Sequence, residues 1–157
     1  MANIMANTFT QLYVQVVFTP KGRENLILQS FEERLYQYIT GIVQNEGQKM
    51  IAINGMPDHV HLFIGFKPTI AIAELVQKVK ASSSKFINEQ KWLSGKFVWQ
   101  EGYGAFTYAH SQLDAVAKYV MNQKEHHQRK TFEEEYRDFL AKFDVPFDER
   151  YLFEFYE

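Results

Sequence analysis

The stretch "NGMPDHVHLFIGF" (Asn54 to Phe66) sets two histidines one residue apart inside an apolar run. In a strand, side chains at i and i+2 share a face, so His59 and His61 point the same way. Two imidazoles at that spacing can hold one divalent ion and leave other coordination positions free. A metal with open positions on an exposed sheet face is arranged for a substrate rather than for stability. A His-x-His pair alone is more often two surface residues, so a second part of the chain must complete the site. "SQLDAVAKYVMNQKEHHQ" (Ser111 to Gln128) offers one. Leu113, Val116, Ala117 and Val120 form an apolar helical stripe there, and Tyr119 and Gln123 stack one turn apart on a shared face. Gln123 carries a neutral oxygen that could complete a three-ligand set with His59 and His61. Tyr119 carries a phenol, a weak nucleophile with a pKa of about 10 until a cation polarises its target. The plain alternative for Tyr119 is a tyrosine packed on a sheet. His126, one turn beyond Gln123, could substitute as ligand, whereas His127 reads as a surface residue.

The elements that must position these groups follow from periodicity. "TQLYVQVVFT" alternates, with Leu12, Val14, Val16 and Phe18 on one side and Gln11, Tyr13 and Gln15 on the other, which predicts a half-buried strand. A turn ("PKGREN") and a helix over about 28–46 follow, with Phe31, Leu35, Tyr38 or Ile39, and Ile42 inward. "KMIAIN" and "HVHLFIGF" are two strands joined through "GMPD". Thr69 caps a helix reaching about Glu89, with Ile72, Val76, Val79 and Phe86 inward. "GKFVWQEGYGAFTYA" is a fourth extended segment, where Gly102 and Gly104 mark a bulge or a close backbone approach. The order β-α-β-β-α-β predicts an α+β fold of ferredoxin/RRM-like type, an antiparallel sheet with both helices on one face. Val60, Leu62, Ile64 and Phe66 then pack under those helices, which leaves His59 and His61 on the helix-free face. Capping boxes at "SQLD" and "TFEE" start two further C-terminal helices, the first carrying the tyrosine. Phe132, Tyr136, Phe139, Leu140 and Phe143 lie at helical spacing in the second and read as packing.

With 157 residues, the chain suits a single domain, 1–157, with a core over about 10–125 and an aromatic-rich helical tail over about 131–157. The absence of cysteine excludes disulfides, thiolate metal sites and cysteine nucleophiles, and accords with the cytoplasm. No stretch resembles a signal peptide or a membrane span, and the repeated "MAN" makes Met5 a candidate start. A net charge of −2 gives no global attraction to nucleic acid. Five lysines against two glutamates between Glu74 and Lys96 nonetheless form a local basic stretch. Lys78 and Lys85 there are candidate phosphate contacts. Tyr13, Phe63, Tyr103 and Phe106 are candidate stacking platforms for unpaired bases, Tyr103 foremost.

"GMPDHVHLFI" followed by "AVAKYVMNQKEHH", together with "YVQVVFTPKGREN", "WQEGYGAFT" and the ending "FDERYLF", resembles the single-tyrosine HUH (His-hydrophobic-His) transposases of the insertion-sequence-200/605 type. The resemblance runs over nearly the whole chain. It implies that His59 and His61 bind Mg²⁺ or Mn²⁺ with Gln123 as third ligand. It implies that Tyr119 attacks a DNA phosphate to form a 5′-phosphotyrosine and a free 3′-OH. The implied substrate is single-stranded DNA with hairpins at the element ends, and the implied assembly is a homodimer. In some members the tyrosine helix serves the partner's site, and the sequence leaves open which sheet Tyr119 meets. Neither a membrane nor a small-molecule cofactor enters this reading. Histidine-triad hydrolases require a further histidine where Phe63 stands, and relaxase-like initiators bring larger domains. The alternative kept is a domesticated transposase, a non-catalytic module that binds single-stranded nucleic acid.

Overall fold

The computed structural model describes residues 8–147. The candidate start at Met5 and most of the "FDERYLF" ending lie outside the described residues. Strands β1 (Leu12–Phe18), β2 (Lys49–Met56), β3 (His59–Phe66) and β4 (Gly104–Tyr108) form one antiparallel sheet in the order β2-β3-β1-β4. Helices α1 (Glu32–Asn45) and α2 (Ile72–Gln90) cover one face. This is the α+β arrangement expected from the element order. Alternation does the sorting, because Val14, Val16 and Phe18 of β1 and Val60, Leu62 and Ile64 of β3 are all buried against Leu35, Ile39 and Val43 of α1 and Leu75, Val76 and Val79 of α2.

Several details differ from the sequence reading. In α1 the inward residue is Ile39, while Tyr38 lies outside and stacks on Phe86 of α2 with centroids 4.0 Å apart. That stacking draws Phe86 out of the inward stripe, and Ile87 takes the buried position. Helix α2 starts after Ala71 rather than at Thr69, with no side-chain cap. The fourth extended segment contains only a short strand. Residues Phe97 to Trp99 are held instead by the Asn88 side chain, which bonds both backbone groups of Phe97 at 2.7 and 3.0 Å, and by a bridge from Trp99 to Pro20. Gly104 meets the expectation of a close approach, since a Cβ there would lie 2.9 Å from the Tyr136 hydroxyl oxygen.

The largest correction concerns the second face. The histidine side of the sheet is not bare. Helices α3 (Leu113–Met121), α4 (Gln123–His126) and α5 (Phe132–Lys142) cover it. Val116 and Val120 of α3 pack on Ala52 and Phe63, and Phe132, Tyr136 and Leu140 of α5 pack with Val17 and Phe106. Phe63 and Phe106 are thereby buried and not available to stack on bases. The aromatic stripe of α5 is packing, as its spacing predicts.

Phe18 is wholly buried at the centre of the first core and meets Trp99 edge-on at 4.8 Å. Phe18→Ala is expected to cost about 3–5 kcal/mol, the transfer and cavity terms together. Urea denaturation of the purified variant measures this directly.

Candidate active site

β2 and β3 are joined by the two-residue turn Pro57–Asp58, so His59 pairs with Met56 as the first residue of β3. The turn is tight. A Cβ on Gly55 would fall 2.2 Å from the His59 carbonyl oxygen, so only glycine fits without moving the strand end. Gly55→Ala is expected to shift His59 and cost about 1–3 kcal/mol of overpacking strain. Comparing metal-induced gains in melting temperature with the unvaried chain separates the shift in His59 from plain destabilisation.

His59 and His61 are fully buried, with rings 5.1 Å apart. Each is oriented through Nδ1. The Asp58 carboxylate accepts from His59 Nδ1 at 2.7 Å. Gln15 Oε1 accepts from His61 Nδ1 at 2.6 Å, because the Gln15 amide nitrogen donates to the Tyr108 hydroxyl at 2.8 Å. Both Nδ1 atoms therefore carry the proton, and both Nε2 lone pairs face inward, the tautomer that suits a metal ligand. Burial holds the His59 pKa below the ordinary histidine range, against the pull of Asp58, and this favours the neutral ring that ligates metals.

Helix α3 begins at Leu113 after a 3-10 turn over His110–Gln112, and its start is secured by Gln112 Oε1 accepting from Ala109 N at 3.0 Å rather than by Ser111. The chain breaks helix at Asn122 and resumes in α4. The Asn54 side chain clamps this junction, donating to the Met121 carbonyl at 2.9 Å. Gln123 is fully buried, with Oε1 3.3 Å from His59 Nε2. The Tyr119 ring lies 6.0 Å from the His61 ring, on the same chain's sheet. His59, His61, Gln123 and Tyr119 are thus brought together. Lys78, Lys85 and Tyr103 are not: they sit on the α2 side of the sheet, where Lys78 pairs with Glu46 at 3.2 Å and Lys85 approaches Glu89 at 3.9 Å.

Three participants escaped the sequence reading. Gln15 is legible in the sequence only as the polar side of a strand. His127, expected at the surface, is 6% exposed, with Nδ1 2.8 Å from the Lys130 carbonyl and Nε2 3.0 Å from Gln123 Oε1. Glu135 of α5 is 3% exposed, with Oε1 3.0 Å from His61 Nε2 and 3.7 Å from His59 Nε2. Its Oε2 accepts from the Tyr119 hydroxyl and lies 3.1 Å from His126 Nε2. The signal was available: Glu135 interrupts the Phe132–Tyr136–Phe139 stripe on its buried side, where an unpaired carboxylate would be costly. Burial alone would raise its carboxyl pKa. The neighbouring imidazoles of His61, His127 and His59 outweigh that and hold it far below the usual carboxylate range. Burial, then the Glu135 charge, pushes the Tyr119 phenol well above the ordinary tyrosine range.

The donor set fits a divalent cation. His59, His61, His127 and Glu135 each offer one ligand atom, all within 4.8 Å of one another. With the His59 and His61 protons committed at Nδ1, their Nε2 atoms meet carbonyl and carboxylate oxygens that are also acceptors. Acceptors that converge in a buried space require a proton or a cation between them.

Residues 8–123 match the family described as "Transposase IS200 like". The chain belongs to the IS200-like transposase family. Among curated relatives, the ISDra2 transposase TnpA of Deinococcus radiodurans is 25% identical over 120 residues, covering 72% of this chain and 84% of that protein. Two solved structures share the fold. One is a Deinococcus radiodurans protein, with TM-score 0.62 and 21% identity, matched over 78% of this chain and 98% of its own. The other is a REP-associated tyrosine transposase bound to a REP hairpin, with TM-score 0.59 and 12% identity, matched over 81% and 74%. The match to the IS200-like transposases ends at Gln123, so α5 and Glu135 lie beyond the family region. No helix among the described residues is long and apolar enough to cross a membrane.

Proposed function

We propose that this IS200-like transposase cuts and rejoins single-stranded DNA at hairpin-marked ends through a covalent tyrosyl link. The single observation that carries the reading is the meeting, in one chain, of the phenol of Tyr119 with the inward Nε2 atoms of His59 and His61 and the amide oxygen of Gln123. His59, His61 and Gln123 would hold Mg²⁺ or Mn²⁺. When bound, the ion offsets the charge of a scissile phosphate that would otherwise repel an approaching phenolate.

The chain's own residues do the rest. Tyr119 loses its phenolic proton and its oxygen bonds to phosphorus. The bond from phosphorus to the 3′ oxygen breaks, and that oxygen leaves as a 3′-OH on taking up a proton. The tyrosyl ester retains the phosphate bond, so a 3′-OH can reverse the step without an external energy source. A cleft of about 340 Å³ beside the phenol, lined by Tyr119, His126, Lys130, Glu135, Phe139 and Lys142, gives a strand a way in. The solved relative bound to a REP hairpin supports a hairpin substrate. Lys78, Lys85 and Tyr103 would touch only parts of a strand that wrap to the α2 side, and a homodimer would bring two such clefts together.

The test is incubation of the protein with single-stranded oligonucleotides carrying candidate hairpins and Mg²⁺ or Mn²⁺, read as an adduct that survives SDS. Formation of the adduct is the expected result. Hairpin binding with no adduct under any metal condition would select the non-catalytic module instead.

A further inference from the structure

We propose that in the described form His127 and Glu135 join His59 and His61 as the four ligands of a zinc-like ion, so that the ion ties the residue after α4 and the C-terminal helix α5 to the histidine pair on β3. This rests on the reading of His59 and His61 as metal ligands and goes beyond it, since it adds two donors that lie outside the family region. Donor atoms that converge in a buried space carry the proposal. His127 Nδ1 faces the Lys130 carbonyl at 2.8 Å, which can only accept, so the proton sits on Nδ1 and the Nε2 lone pair points inward. His59 and His61 are held in the same tautomer by Asp58 and Gln15. Three imidazole lone pairs and the Glu135 carboxylate then converge within 4.8 Å, at side-chain exposures of 0, 0, 6 and 3%. Gln123 Oε1, the other near neighbour of His59 and His127, is an acceptor as well. No neutral donor is present among these five atoms. Such a constellation is unfavourable unless a proton or a cation lies between the atoms, and a divalent ion satisfies all of them at once.

Three imidazoles and one carboxylate differ chemically from a site for Mg²⁺, which prefers oxygen donors and keeps several waters. Nitrogen-rich four-donor sets suit zinc-like transition ions, and a set in which the protein supplies four donors is closed in the manner of a structural site. The described form, with α5 docked, is accordingly assigned to a Zn²⁺- or Co²⁺-binding state. Through the other oxygen of Glu135, the same carboxylate holds the Tyr119 hydroxyl.

The experiment titrates the full-length chain, stripped with EDTA, with Co²⁺, Zn²⁺ and Mg²⁺. Affinity is read by calorimetry and coordination by the visible absorption of Co²⁺, which is intense for four-coordinate and weak for six-coordinate ions. The unvaried chain is expected to bind Co²⁺ and Zn²⁺ far more tightly than Mg²⁺, with intense absorption. Glu135→Gln and His127→Ala are each expected to weaken Co²⁺ binding by about tenfold or more and to weaken the absorption, since even outer partners of a metal site cost that much. In EDTA, Glu135→Gln should melt at or above the unvaried chain, because its amide nitrogen can donate to His61 Nε2 while its oxygen still accepts from Tyr119. Lost affinity with a retained melting temperature is therefore not unfolding. If both variants bind Co²⁺ as the unvaried chain does while His61→Ala does not, the ion is held without His127 and Glu135; this proposal falls and the histidine-pair reading stands. If His61→Ala also binds normally, both fall.

Discussion

Tyr119→Phe is expected to abolish the SDS-resistant DNA adduct while leaving hairpin binding close to that of the unvaried protein. The substitution removes one oxygen, the only atom of the residue that can bond to phosphorus, and keeps the ring against His61 and Phe139. Deleting a covalent nucleophile costs on the order of 10⁴-fold or more in rate, because neighbouring groups cannot take over the step. Stability should move little and in a known direction. The Tyr119 hydroxyl donates to Glu135, a buried carboxylate that retains His61, His126 and His127 as neighbours. Losing one of several partners costs about 1–2 kcal/mol. An adduct of unchanged yield from the purified variant would assign the nucleophile to another residue.

His61→Ala carries the second large effect. Its ring is fully buried, and its Nε2 faces Glu135 while its Nδ1 engages Gln15. Removing it takes away a proposed metal ligand and leaves the Glu135 carboxylate without one of its imidazole partners. Adduct formation is expected to fall by more than about 100-fold, beyond the loss caused by disturbing an outer partner of a metal site. Chelation of the unvaried protein with EDTA should reproduce the loss, and added Mn²⁺ should restore activity to the chelated protein but not to the variant. The comparison of restored and unrestored samples separates a lost ligand from a collapsed fold. Full adduct formation in EDTA would remove the metal from the mechanism.

Glu135 shapes how both results are read. Its oxygens face two imidazoles on one side and the phenol on the other. Burial pushes the phenol to high pKa, and a carboxylate in that position adds to the shift, since it orients Tyr119 yet opposes phenolate formation. In the proposed mechanism, attack by Tyr119 would be favoured by a cation that offsets the Glu135 charge.

Much of the fold was legible because its signals are short-ranged. Alternation in "HVHLFIGF" assigns Val60, Leu62 and Ile64 to one face and His59 and His61 to the other, and no distant residue can change that parity. The four-residue spacing of Tyr119 and Gln123 likewise puts both on one helical face, even across the break at Asn122. Ile39 against Tyr38 was the kind of choice a helix pattern leaves open, and packing of Tyr38 on Phe86 decided it.

What lies on top of the histidines was a different matter. A polar residue on one strand face reads the same whether water or a helix covers it, and the covering partners are remote: Gln15 is 46 residues from His61, Gln123 is 64 from His59, and Glu135 is 74 from His61. Local periodicity settled which side of the sheet carries the imidazoles and which turn carries the phenol. Only the docking of α3 to α5 decided that this side is dry, that His127 turns inward and that a carboxylate joins the cluster, because burial and charge pairing are properties of surfaces that meet and not of neighbouring letters.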